Sequence, residues 1–125
     1  MNSINFSKGA ILLGANNHPK DGNHYIIYFD ELNGFDFIGG MISTKNYGGK
    51  NKPMEYRHFE IKNETNNNKW KISFNKSQLI PAKLHKFNEM GEFEQVGQLT
   101  PEGIDFVKSV INDMRLMTWD EYRNS

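Results

Sequence analysis

Hydrophobic and polar positions alternate along this chain in short blocks, and the blocks predict strands before anything else. Gly9-Ala10-Ile11-Leu12-Leu13 is a continuous apolar run behind a polar tail, 1–8, and reads as a buried first strand. Residues 14–23 carry Asn-Asn, His-Pro and Asp-Gly-Asn, a dense set of turn formers, and read as a long loop. His24 to Phe29 is a second strand, Asn33-Gly34 is a hairpin signal, and Phe35 to Thr44 is a third strand with Gly39-Gly40 in its middle. A glycine pair in mid-strand predicts a bulge, a bend or the close approach of another backbone. If the second and third strands pair as an antiparallel hairpin, His24 and the Ser43-Thr44-Lys45 cluster fall at the same end of the sheet.

Beyond a Gly- and Lys-rich loop over 46–53, the period becomes two. Tyr56, His58 and Glu60 alternate with Arg57, Phe59 and Ile61, predicting an amphipathic fourth strand over 54–62. Trp70, Ile72 and Phe74 alternate with Lys71, Ser73 and Asn75, predicting a fifth, its apolar face inward. Pro81 interrupts the next apolar stretch, so a turn is expected there, with a sixth strand near 82–87 and a short last strand over 93–97. Thr100-Pro101 then opens a helix, with the hydroxyl as N-cap and proline at the first helical position. Ile104, Val107, Val110, Ile111 and Met114 follow at spacings of three and four, one apolar stripe over a helix at about 100–115. Thr118-Trp119-Asp120-Glu121 has the form of a second cap. The expectation is an α+β, mainly β fold, a small curled antiparallel sheet or SH3-like barrel with a C-terminal helix, in one domain spanning 1–125.

Composition narrows the chemistry. The chain has no cysteine, which removes disulfides, thiolate zinc sites and cysteine nucleophiles. No stretch approaches the roughly 18 apolar residues of a membrane span, and the N-terminus lacks a signal-peptide core, so a soluble cytoplasmic protein without membrane attachment is expected. The 15 basic and 15 acidic side chains cancel, but not locally. Residues 1–40 sum to −2, residues 41–76 to +5 and residues 77–125 to −3. The middle third is therefore either a polyanion-facing surface or a solvated lysine-rich segment. Tyr47, Tyr56 and Trp70 interleave with its lysines, as a single-stranded RNA groove would need for base stacking. His58 and His85 stand alone in strand-like patterns without the paired spacing of a metal site, and no metal or cofactor is expected.

The order of parts resembles the MazF/PemK/Kid toxin endoribonucleases. The pieces that carry the resemblance are Lys8-Gly9-Ala10-Ile11-Leu12, the loop 14–23, the strand from His24 to Phe29, and Met41-Ile42-Ser43-Thr44. Ser77-Gln78-Leu79-Ile80-Pro81-Ala82-Lys83-Leu84 resembles the family's serine-led segment, and Gly97-Gln98-Leu99-Thr100 its helix start. The family usually has an Arg-Pro pair at the start of the second strand, the arginine being catalytic, where this chain has His24-Tyr25. Its second catalytic residue, a Thr or Ser at the end of the third strand, is matched by Thr44 with Ser43 beside it.

The resemblance implies metal-independent cleavage of single-stranded RNA, a homodimer, and an antitoxin protein whose segment occupies the RNA face. Attack of a ribose 2′-OH needs a base, an acid for the leaving oxygen and a cation for the developing charge. Histidine can serve as acid or base, so His24 takes that role, with Thr44 and Ser43 positioning the phosphate and Lys45 supplying charge. Lys20, Lys50, Lys52 and Arg57 are the further RNA-binding candidates, with Tyr47 as the stacking ring. Two other readings stay open at this level: a non-catalytic SH3-like module that binds a protein or peptide, and an RNA binder that does not cleave.

Overall fold

A computed structural model describes residues 6–14, 25–33, 36–43, 49–61, 69–71, 76–87 and 92–124. One mainly antiparallel sheet dominates it, curled but not closed, with a helix near the C-terminus. Its strands are β1 (Ala10–Gly14), β2 (Tyr25–Asn33), β3 (Asp36–Ser43), β4 (Lys52–Pro53), β5 (Gln78–Leu79), β6 (Lys83–His85), β7 (Phe93–Gln98) and β8 (Leu116–Thr118). The helices are α1 (Pro101–Ile111) and α2 (Trp119–Arg123). The sheet order is β4-β5-β3-β2-β1-β7, with β6 also pairing β3 and β8 pairing β6 in parallel.

The continuous apolar runs of β1 and β2 arise because the sheet is buried on both faces. Ile11, Ile27, Phe29 and Ile42 face one cluster, closed by Met54, Phe59, Leu79, Val96 and Leu99 and by Val107 and Ile111 of α1. Their neighbours Ala10, Leu12, Ile26, Tyr28, Phe37 and Met41 face a second cluster with Ile80, Ala82, Leu84 and Phe87. In that second cluster Phe37 stands between Tyr28 (5.0 Å between centroids) and Phe87 (4.8 Å), with Phe93 edge-on at 5.8 Å. Gly39 makes this row possible. A Cβ there would lie 2.4 Å from the Ile27 carbonyl oxygen and 3.2 Å from the Phe37 and Phe87 rings. Close backbone approach is thus the reason for the mid-strand glycine, and the β2–β3 register slips immediately beside it, between Tyr28 and Asp30.

The helix starts where its cap predicts. Thr100 Oγ1 accepts the Gly103 N–H (3.1 Å) and donates its own proton to the Arg57 carbonyl (2.7 Å). Val107 and Ile111 are fully buried, with Ile104, Val110 and Met114 packed beside them. Thr118 and Glu121 form a reciprocal capping box at α2.

The expected fourth strand over 54–62 is not a strand. Tyr56–His58 is a 3₁₀ turn, flanked by the two-residue β4 and by a single bridge from Phe59 to Leu99. The reason is local: Glu55 N–H donates to His58 Nδ1 (3.0 Å) while the Glu55 side chain takes the His58 N–H, so side chains satisfy backbone groups that a ladder would otherwise use. The expected fifth strand falls mostly on residues outside the described ones; Trp70 itself is half-buried, its Nε1 donating to Glu60 (3.4 Å). Two short strands come from outside the sequence expectation: β5, on the near side of Pro81, and β8, between the helices.

Candidate functional site

The start of β2 does lie beside the end of β3, because Tyr25 pairs with Ile42. From there the ladder continues laterally: Ser43 pairs with Gln78 of β5, and Gln78 pairs with Pro53 of β4. Directly opposed residues share a face. Ser43 and Gln78 therefore face the side of Met41, whereas Lys52, opposite Leu79, faces the side of Ile42.

Ser43 is buried, as are Ser77, next to Gln78, and Asn51, next to Lys52. The Ser77 carbonyl accepts the Met54 N–H (2.9 Å), which ties β4 to β5. Gln78 Oε1 is buried and has no hydrogen-bond partner among the described residues. A buried acceptor left unmet costs about 1–3 kcal/mol, so it marks a position where a donor from outside would be well received. Lys50 and Lys52 are exposed at the β4 margin, about 10 Å from β3 given the usual spacing of two strands.

His24, Thr44, Lys45, Tyr47 and Lys20 lie outside the described residues. Of the expected catalytic set the structure places Ser43, and of the expected RNA-binding set Lys50, Lys52 and Arg57. Arg57 is set apart from the other two. It sits on the 3₁₀ turn, its Nε on Glu55 and its Nη1 3.2 Å from Glu102 at the start of α1. All three side chains are more than half exposed, so solvent competes for these pairs and a phosphate could displace either carboxylate. Tyr56, next to it, is 73% exposed and free to stack on a base.

Comparison of the chain with protein-family models, curated proteins and solved structures gives no match.

Two histidines gain clear surroundings. His58 is buried, stacked on Phe106, with its Nδ1 accepting from Glu55; burial, and then the charge of Arg57, push its pKa below the ordinary 6.5. His85 is joined through Nδ1 to Asp36 Oδ2 (3.2 Å) across 49 positions of sequence, a pairing that no local pattern announces. No three His, Asp or Glu side chains among the described residues converge as a cation would need. No helix of the described residues is long and apolar enough to cross a membrane.

Proposed function

We propose that this chain is a toxin-type endoribonuclease of the MazF/PemK/Kid kind, acting in the cytoplasm on single-stranded RNA without a metal. The observation that supports it best is the Tyr25–Ile42 pairing in a curled, mainly antiparallel sheet. That register joins the strand preceded in sequence by His24 to the strand that ends at Ser43 and is followed by Thr44 and Lys45. In this reading His24 moves the proton, Thr44 and Ser43 hold the phosphate, and Lys45 and Lys50 supply positive charge, with Lys52, on the other face of the edge strand, meeting the RNA farther along its backbone and a homodimer and an antitoxin segment as partners.

The test is incubation of the purified protein with a labelled single-stranded RNA in EDTA, beside His24→Ala and Thr44→Ala. Products ending in a 2′,3′-cyclic phosphate, made by the parent and lost in both variants, are the expected result. RNA retention without cleavage in the parent overturns catalysis and leaves a binder.

A second reading rests on Gln78. Its unmet carbonyl oxygen beside Ser43 suits a partner that offers an N–H, as an extended peptide does, and supports a non-catalytic protein-binding module. Absence of any RNA affinity at low salt, where phosphate contacts are strongest, would favour it.

A further inference from the structure

At the opposite end of β3 from Ser43, three elements converge on one imidazole. Asp36 opens β3, His85 closes β6, and Thr118 closes β8, with His85 and Thr118 opposed in the parallel β6–β8 register. Leu84 and Met117 pack toward the second cluster, so strand alternation puts His85 and Thr118 together on the other face.

The parts are held in place. Asp36 Oδ1 accepts the N–H groups of Phe37 (2.9 Å) and Lys86 (2.8 Å), which aims Oδ2 at His85 Nδ1. Lys86 adopts a positive φ of 62° to make its bond, a conformation that costs a residue with a Cβ of order 1 kcal/mol. A carboxylate can only accept, so Nδ1 carries the proton, and in the neutral ring it is Nε2 that presents a lone pair. Asp36 bonds Nδ1 and leaves Nε2 outside that contact, and the His85 side chain as a whole is 18% exposed. Thr118 Oγ1 accepts from the Glu121 N–H (3.1 Å), which leaves its hydroxyl proton to donate elsewhere.

We propose that Asp36, His85 and Thr118 form a second, independent site, a general-base centre for hydrolysis of small neutral carboxylic esters. His85 Nε2 takes a proton from water as the water oxygen bonds to the carbonyl carbon, and the Thr118 hydroxyl donates to the oxygen that becomes negative. Collapse breaks the carbon–oxygen bond to the alcohol, which receives the proton from Nε2. The products are a carboxylic acid and an alcohol, and Asp36 is a positioning residue that fixes the tautomer. Glu121 favours a neutral substrate over a phosphodiester: its Oε1 accepts the Thr118 N–H (2.9 Å), a bond that holds the carboxyl below the usual range, so negative charge stands beside Thr118. Half-buried Ile38 and Leu116 supply apolar surface at the same margin.

The probe is 4-nitrophenyl acetate, with release of nitrophenolate followed on the full chain. Saturable hydrolysis is expected, falling about 100-fold or more in His85→Gln. In Asp36→Asn, kcat should fall and the pH–rate profile shift; Thr118→Val should lower kcat with little change in KM, and Thr118→Ser should restore it. His58→Gln, which alters a buried imidazole stacked on Phe106 outside this cluster, should leave the ester reaction unchanged. Non-saturable hydrolysis no faster than equimolar N-acetylhistidine, or a rate indifferent to His85→Gln in a variant that keeps the parent near-ultraviolet circular dichroism, overturns the proposal. Should His85→Gln not fold, acylation of the parent by diethyl pyrocarbonate decides instead: activity lost in step with modification of His85 supports the site, and activity surviving that modification overturns it.

Discussion

His58 lies face to face on Phe106, ring centroids 4.7 Å apart and planes 19° from parallel, so one buried imidazole joins the 3₁₀ turn to α1. Its Nδ1 accepts a backbone N–H, a bond that only the neutral ring can make. Burial and the nearby Arg57 both push its pKa below 6.5, against a smaller opposite pull from Glu55 and Glu102. The unfolded chain then binds the proton more readily than the folded one. The stability this histidine contributes is present above pH 6.5 and is lost as the pH falls through its depressed folded value. Urea melts at pH 7.5 and pH 5 should show the loss, and His58→Gln should flatten that part of the dependence. A histidine titration midpoint above 6.5 by NMR would contradict it.

Gly103→Ala should destabilise, although alanine in a helix interior normally gains up to about 1 kcal/mol over glycine. The added Cβ would lie 2.2 Å from the His58 carbonyl oxygen, backbone that cannot swing aside. Separation of α1 from the 3₁₀ turn outweighs the propensity gain, for a net loss of about 1–3 kcal/mol on chemical denaturation.

Thr100→Ala removes both bonds of one hydroxyl, the cap on Gly103 and the link to Arg57. A loss of about 1–2 kcal/mol is expected, with Thr100→Ser keeping most of the parent stability.

Gln78→Met keeps the side-chain length and removes the unmet oxygen. Stability should rise by about 1 kcal/mol, since no bond within the described fold is given up. If the Ser43 end receives a partner's donor, the same variant should bind that partner more weakly, which calorimetry on the parent and variant would show.

Arg57→Ala should leave the melting temperature nearly unchanged, because exposed pairs of this type contribute about 0–1 kcal/mol. Under the ribonuclease reading, Lys50→Ala and Lys52→Ala should each weaken RNA binding and reduce the salt slope by roughly 0.7, the increment for one phosphate contact on a single strand. An unchanged slope for both lysines would remove β4 from the RNA surface.

Sequence alone determined the parts whose signals are local. The apolar runs of β1, β2 and β3, the mid-strand glycines, the Thr100-Pro101 start of α1 and the Thr118–Glu121 box were all legible, since each shows in residues within a few positions of one another. Around Tyr56–His58 a strand period was present but misleading, because a side chain three residues away satisfied the backbone first. Tertiary structure decided what pairs at long range. Two-sided burial divided neighbouring residues such as Leu12 and Ile11 between separate clusters, and the β3–β5–β4 ladder set Gln78 beside Ser43 while turning Lys52 to the opposite face. Parallel pairing of β6 with a three-residue β8 placed Thr118 beside His85, and the fold brought Asp36 to that same ring. Such contacts join segments whose separate sequences carry no record of one another, because the free energy that selects them comes from burying the whole sheet at once.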